Sequence, residues 1–427
     1  MLPFLIFTLF ILLVDLYVYK GLKVLLDKPS NPVVKIFFRT MFWLIPSILL
    51  ASVVMALYFR QVDTDPRIFN SYFYIVAFTM LFYLPKLVFV LFHLLDDLVF
   101  VTERTVKSFT RFSFKNSIPF GEVIVNRRKF ISRTGIILAM IPFLAVIYGV
   151  TYGRFDFQIT EKSVEIRGLP ASFDGFRILH ISDIHAGSFY GYEERVKRAV
   201  DIINKQEADI IVFTGDLVNN FTSELDGLTD ILSVMDARHG KYSILGNHDY
   251  GDYYQWESPE AKEQNMEDMF IAHEKIGFRL LLNQWDSLSV NGESIALIGV
   301  ENWGEPPFPK YGDLEKASSG TENMPVRILL SHDPSHWDAE VIGATDIDLT
   351  LSGHTHGMQF GIEYRNFRWS PSQYKYPRWG GLYEEAGQYL YVNRGLGYLA
   401  FPGRIGMPPE ITVIELRKPQ ELTTNNL

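Results

Sequence analysis

Four apolar stretches, roughly Leu2–Tyr19, Thr40–Phe59, Ser71–Leu95 and Thr134–Tyr152, fill most of the first third of this 427-residue chain. A bilayer core takes about 20 helical residues to cross and offers the backbone no hydrogen-bond partner, so stretches of this length and composition can cross it, and only as helices. One alone would fit a buried core helix. Four together, with no globular pattern between them, read as a transmembrane region over residues 1–152. The third is interrupted by Pro85 and Lys86, which allows a shorter span followed by an interfacial helix.

Charge between the stretches sets an orientation, because Lys and Arg accumulate on the cytoplasmic side. The first connection carries Lys20, Lys23, Lys28 and Lys35 against Asp27, and the second balances Arg60 and Arg67 against Asp63 and Asp65. The third holds Arg104, Lys107, Arg111, Lys115, Arg127, Arg128, Lys129 and Arg133 against four acids. The first and third are therefore expected in the cytoplasm. Everything after the fourth span is expected outside, in a multi-pass protein of the cytoplasmic (inner) membrane. Arg127-Arg128-Lys129-Phe130-Ile131-Ser132 resembles a twin-arginine export signal displaced from its usual N-terminal place. An ordinary positive-inside anchor is the other reading, and both put the C-terminal part on the same side.

Residues 1–152 hold 16 Lys and Arg against 8 Asp and Glu, whereas residues 153–427 hold 24 against 41. The acidic C-terminal part argues against a nucleic-acid partner, which needs cations clustered along one face. Cysteine is absent. Disulfides, thiolate ligands and Cys nucleophiles are thereby excluded, and any metal must be held by oxygen and nitrogen.

From about Phe155, short β-branched runs alternate with amphipathic segments, which predicts an α/β domain over residues 153–427. Strands are expected at Phe176–Ser182, Ile210–Phe213, Lys241–Leu245, Ser294–Val300, Val326–Ser331, Asp348–Ser352, Tyr389–Val392 and Ile411–Leu416. Helices are expected at Tyr192–Gln206 and Leu225–Met235. Five motifs follow such strands: Asp183-Ile184-His185, Gly215-Asp216, Gly246-Asn247-His248-Asp249, His332, and Gly353-His354-Thr355-His356. Ligands of open α/β sheets bind beyond the carboxyl ends of strands, so these loops can converge. Asp, His and Asn suit borderline divalent metals once thiolate is excluded. Residues two apart on an extended segment point the same way, so each Asp-x-His or His-x-His pair can face one cluster. A lone Gly-Asp is usually a turn; the common placement of all five carries the reading.

These motifs resemble the calcineurin-like metallophosphoesterases over roughly residues 160–416. Ile166–Ile178, Asn393–Gly397 and Pro408–Ile411 look like the bacterial membrane-associated branch. The resemblance implies a metallophosphoesterase-type sandwich of two mixed sheets flanked by helices, here preceded by an all-α four-helix transmembrane region. It also implies two divalent metal ions (Mn, Fe, Zn or Mg). Asp183, His185 and His356 would hold one, Asn247, His332 and His354 the other, and Asp216 would bridge both. The implied chemistry is phosphate-ester hydrolysis by metal-activated water. In it His248 stabilises the transition state and protonates the leaving oxygen, and Asp249 holds its other ring nitrogen.

Five further histidines, His93, His180, His239, His273 and His336, read as structural. Tyr250–Phe270 fits a cap over substrate and a solvated helix with a packing stripe equally well. Arg394 and Arg404 sit in Gly-rich loops, where they would bind substrate phosphate or only pair with backbone. The expected substrate is a phosphodiester or monoester handled at the outer face of the membrane; four helices are more than anchoring requires, which speaks for a lipid-linked ester, and a soluble one stands equally beside it. The rival is a non-catalytic membrane receptor or transport-linked module that kept the fold, against which the intact ligand set speaks. Oligomeric state is left open.

Overall fold

A computed structural model describes residues 2–26, 31–59, 66–110, 120–365 and 367–419. Of the loop charges counted above, Asp27, Lys28, Arg60, Asp63, Asp65, Arg111 and Lys115 lie outside the described residues. The chain divides into two units, Met1–Thr64 with Ser71–Val150, and Asp65–Asn70 with Thr151–Leu427.

Four helices make the first unit: α1 (Leu2–Leu26), α2 (Pro32–Phe59), α3 (Pro66–Thr110) and α4 (Phe120–Thr151). Each contains a window long and apolar enough to cross a membrane. The break allowed at Pro85 and Lys86 does not occur, since α3 runs through both for 45 residues. A proline removes one backbone bond, which spanning helices tolerate. Lys86 is no interruption either, because its Nζ lies 2.5 Å from Asp15 of α1. Asp15 also accepts from the Tyr83 hydroxyl at 2.7 Å. Arg127 and Arg128 lie inside α4 and pair with acids of α3. Arg127 Nε is 2.8 Å from Asp96, and Arg128 Nη2 is 3.2 Å from Asp97.

The second unit begins with β1 (Gln158–Glu165), β2 (Arg177–Ile181), α5 (Glu193–Asn204), β3 (Ile210–Phe213), α6 (Thr229–Ser233), β4 (Lys241–Ser243), α7 (Pro259–Ile276) and β5 (Phe278–Leu280). It continues with β6 (Gln284–Val290), β7 (Glu293–Gly299), α8 (Leu314–Ser318), β8 (Arg327–Leu330), β9 (Leu349–Ser352), β10 (Ile362–Tyr364), β11 (Phe367–Trp369), β12 (Gly381–Glu385), β13 (Gln388–Val392) and β14 (Glu410–Arg417). One six-stranded sheet runs β1-β14-β2-β3-β4-β5 and the other β12-β13-β9-β8-β7-β6, with β10-β11 a separate hairpin. Both large sheets are mixed. β2 to β5 are mutually parallel with β14 antiparallel to β2, and β7, β8, β9 and β13 are parallel with β6 and β12 antiparallel at the edges.

Strand β3 shows why the central runs are continuously apolar. Its period of two sends Ile210 and Val212 into the core between the sheets, with Ile178, Ile328 and Leu351. Ile211 and Phe213 go to the opposite face, under Val200 of α5 and Met269 and Ile276 of α7. Both faces are buried, so no polar alternation survives. The second sheet is covered on its outer face by Ala317 of α8 and by Trp337.

Candidate metal centre

Five parallel strand ends, β2, β3 and β4 of one sheet and β8 and β9 of the other, bring the seven candidate ligands together. Ligand atoms of Asp183, His185 and His356 all lie within 4.8 Å of one another, and so do those of Asp216, His332 and His354. His185 Nε2 sits 3.6 Å from Asp216 Oδ2, and the His354 amide donates to Asp183 Oδ2 at 3.0 Å, so the two groups adjoin. Asn247 Oδ1 is 3.1 Å from His332 Nε2. Only His354 is partly exposed, and the other six are buried.

The backbone that achieves this is not extended. Asp183, His185, Asp216, His354 and His356 all have positive φ, between 49° and 72°. Each costs a non-glycine residue about 1–2 kcal/mol, an investment found where a site demands it. Side chains two apart therefore converge through tight left-handed turns and not by strand alternation. Close approach does the rest. A Cβ on Gly353 would fall 1.9 Å from Ser182 Oγ and 2.3 Å from Asp183 Oδ2.

The donor set suits divalent cations. His332 Nδ1 donates to the Thr214 carbonyl at 2.7 Å, which leaves Nε2 for the centre. There it meets Asp216 Oδ2 at 3.2 Å, Asn247 Oδ1 at 3.1 Å and His354 Nδ1 at 3.2 Å. Three acceptor atoms around one ring nitrogen can share only one proton, whereas a cation satisfies them all. Burial opposes charge on His332, yet Asp216 beside it outweighs burial and pushes the ring up to about 10. The spot draws positive charge. Burial lowers His185 to about 3 and His354 to about 4, which keeps both rings neutral, as ligands must be.

Comparison with known proteins gives the family. The model described as "Calcineurin-like phosphoesterase" matches residues 176–358, and "Probable Calcineurin-like phosphoesterase, transmembrane domain" matches residues 2–154. The Bacillus subtilis "Uncharacterized metallophosphoesterase YkuE" is 32% identical over 63% of this chain and 90% of its own length. The chain belongs to the calcineurin-like metallophosphoesterase family. The Danio rerio "Transmembrane protein with metallophosphoesterase domain" is 29% identical over 67% of this chain and 63% of its own length. The Escherichia coli "Phosphodiesterase YaeI" is 25% identical over 69% of this chain and all of its own length. The chain is thus a membrane protein and a metal-dependent phosphoesterase.

Several residues of this phosphoesterase do other work than expected. Asp249 does not hold His248. Its carboxylate accepts the amides of Asp216 (2.9 Å), Leu217 (2.7 Å), Val218 (3.3 Å) and Gly246 (2.8 Å), knitting the β3 and β4 loops together. Burial and the Asp216 charge push Asp249 up to about 7 against those amides. His248 Nδ1 donates instead to the Asn219 carbonyl at 2.7 Å. Neither arginine is available for phosphate. Arg394 pairs with Glu410 and Glu363 at 2.8 Å each, and buried Arg404 donates to the carbonyls of Gly397, Met407, Arg394 and Gly395. His336 bonds Ser331 and stacks on Trp303, a structural role.

The Tyr250–Phe270 segment splits between its two readings. α7 packs through Asn265 and Met269, while Tyr253, ahead of it, accepts from Asn247 Nδ2 at 2.9 Å and lies 4.9 Å from the His248 ring. Tyr376, whose hydroxyl is 2.8 Å from His354 Nε2, carries no signal in the sequence. Nor does Glu224, a buried carboxylate that accepts from the amides of Gly187, Asn219, Asn220 and Phe221. No motif marks either: Tyr376 lies 22 residues from its partner, and Glu224, though only three to five residues from three of its four amides, sits in a turn that no sequence pattern singles out.

Proposed function

We propose that this chain hydrolyses a phosphodiester or phosphomonoester with two divalent cations at the outer face of the cytoplasmic membrane. The observation that carries the reading is the convergence of seven oxygen and nitrogen donors from five strand ends. Asp183, His185 and His356 would hold one ion, Asn247, His332 and His354 the other, with Asp216 between them. Bound there, such ions neutralise phosphoryl charge and acidify water.

The chain's own residues supply the rest. His248 is partly exposed and stands at the mouth of a buried ligand set, its ring 5.1 Å from that of His185. With Nδ1 fixed on the Asn219 carbonyl, Nε2 is the atom left to donate a proton to the leaving oxygen. Asp249 and Glu224 hold the loops on which Asp216, His185 and His248 ride. Tyr253, Tyr376 and Phe308 surround His248 and His354 with aromatic surface, which suits a substrate with an apolar or planar group beside the phosphate. The outward orientation rests on the cations in the helix ends next to the first and third connections, among them Lys20 and Lys23 of α1 and Arg127, Arg128 and Lys129 of α4.

Purified full-length protein with Mn²⁺ and a chromogenic aryl phosphodiester tests the proposal. Turnover is expected from the natural chain and not from Asp216→Ala. A silent natural chain, or undiminished turnover in the variant, would favour the non-catalytic receptor.

A further inference from the structure

The hairpin β10-β11 is amphipathic in an unusual sense. Its register pairs Ile362 with Trp369 and Tyr364 with Phe367, so these four share one face, while Glu363 and Arg368 share the other. The charged face is tied to the body of the unit. Arg368 donates to Glu363 at 3.0 Å and to the Gly380 carbonyl at 2.6 Å, and Arg394 donates to Glu363 at 2.8 Å. Three of the four apolar residues are left to solvent, with Ile362 54%, Tyr364 66% and Phe367 59% exposed, while Trp369 is half-buried against Phe360. A lone two-stranded ribbon is marginal in water, and one that turns its aromatics outward calls for an apolar cover.

The chain itself points to what that cover is. α4 ends at Thr151, and by Arg154 the backbone is already built into this unit, three residues or about 11 Å on at most. Buried Arg154 donates to the Tyr398 hydroxyl at 2.9 Å and the Pro402 carbonyl at 3.3 Å. The same loop is laced to the hairpin's root, since Gln359 Nε2 donates to the Phe401 and Gly403 carbonyls and Gly361 N donates to the Ile405 carbonyl. Gln359 is three residues after His356. Tether, hairpin and metal centre are therefore consecutive parts of one hydrogen-bonded loop cluster. Aromatic residues with an adjoining arginine, here Arg365 at the turn, are what the headgroup level of a bilayer accepts.

We propose that the Ile362–Trp369 face is a membrane-docking surface that inserts at the headgroup level of an anionic bilayer. Docked, it presents the metal centre to phosphate esters lying at that level. The docking rests on the membrane spans and only the use made of it rests on the proposed hydrolysis, so either can fail without the other.

Absence of cysteine makes the test clean. Tyr364→Cys, Phe367→Cys and, as control, the exposed Glu315→Cys of α8 would each carry the chain's single thiol, labelled with an environment-sensitive fluorophore. The full chain is reconstituted in phosphatidylcholine–phosphatidylglycerol vesicles with or without nitroxide on the upper acyl chain. Both hairpin labels are expected to lose about half their emission or more to the nitroxide lipid, at a depth of about 5–10 Å, with the Glu315 label unchanged. Three results would overturn the proposal. A hairpin label open to aqueous iodide and indifferent to the lipid quencher shows an undocked face. A label shielded from both quenchers shows a protein surface, such as a second copy, over the face. Equal quenching at Glu315 shows contact without preference.

Discussion

Replacing Glu224 by Gln isolates the loop-holding part of the mechanism, because no candidate ligand is touched. In the natural chain Oε2 accepts the amides of Gly187 (3.0 Å) and Asn219 (2.7 Å), and Oε1 those of Asn220 (3.0 Å) and Phe221 (3.2 Å). Gln keeps one oxygen and turns the other into an NH₂ group facing two N–H donors. Two buried amides then lack an acceptor at about 1–3 kcal/mol each, a loss of roughly 2–6 kcal/mol. Glu224 is buried, so water gives little relief. For a unit of this size the melting temperature should fall by about 5–20 °C. Burial pushes Glu224 up to about 7, so the comparison belongs at pH 8, where it is ionised. Activity should fall as well, well below the melting temperature, because Gly187 follows His185 and the Asn219 carbonyl fixes His248. Tryptophan fluorescence melts and aryl phosphodiester turnover on detergent-solubilised full chain read both effects. A melting temperature within about 1 °C of the natural chain would refute the stability reasoning. A large drop with unchanged kcat would refute the link to His248.

His248→Gln should retain both metals, measured by elemental analysis, while kcat drops about 10²–10⁴-fold. Burial opposes ionisation of Glu410, but Arg394 at 2.8 Å outweighs it and holds the carboxyl down to about 2 from 4.5. A depressed carboxyl contributes stability that is whole above about 4.5 and lost as pH falls towards about 2, worth on the order of 3 kcal/mol. Glu410→Gln should flatten that limb of a stability–pH curve, and an unchanged slope would count against it. In the helical unit, Asp15→Ala strands Lys86 and should cost about 3–5 kcal/mol in a detergent melt, largely restored by adding Lys86→Met. Failure of the double variant to recover would show that the pair is not what Asp15 is for.

How legible these features are in the sequence follows from what each residue faces. β3 lies where its continuous apolar run places it, because both faces are buried. β1, a mostly exposed edge strand, shows no such run and escapes notice. The expected Leu225–Met235 helix shrinks to Thr229–Ser233 because a tight turn over Thr222–Leu225 precedes it, built around Glu224. Ligand identities are readable because metal chemistry restricts residue types and strand ends restrict places. Their geometry is not, since the left-handed turns at Asp183, His185 and His356 replace the extended alternation that spacing suggests. Asp249 and Glu224 show the limit most clearly. A carboxylate satisfied by four backbone amides looks, in sequence, like any other acid near a motif.

Anomalous diffraction from crystals of the full chain grown with Mn²⁺ bears most directly on the whole reading. Two manganese peaks are expected, one among Asp183, His185 and His356, the other among Asn247, His332 and His354, each touching Asp216. A single peak, none, or two that persist unchanged in Asp216→Ala would contradict it.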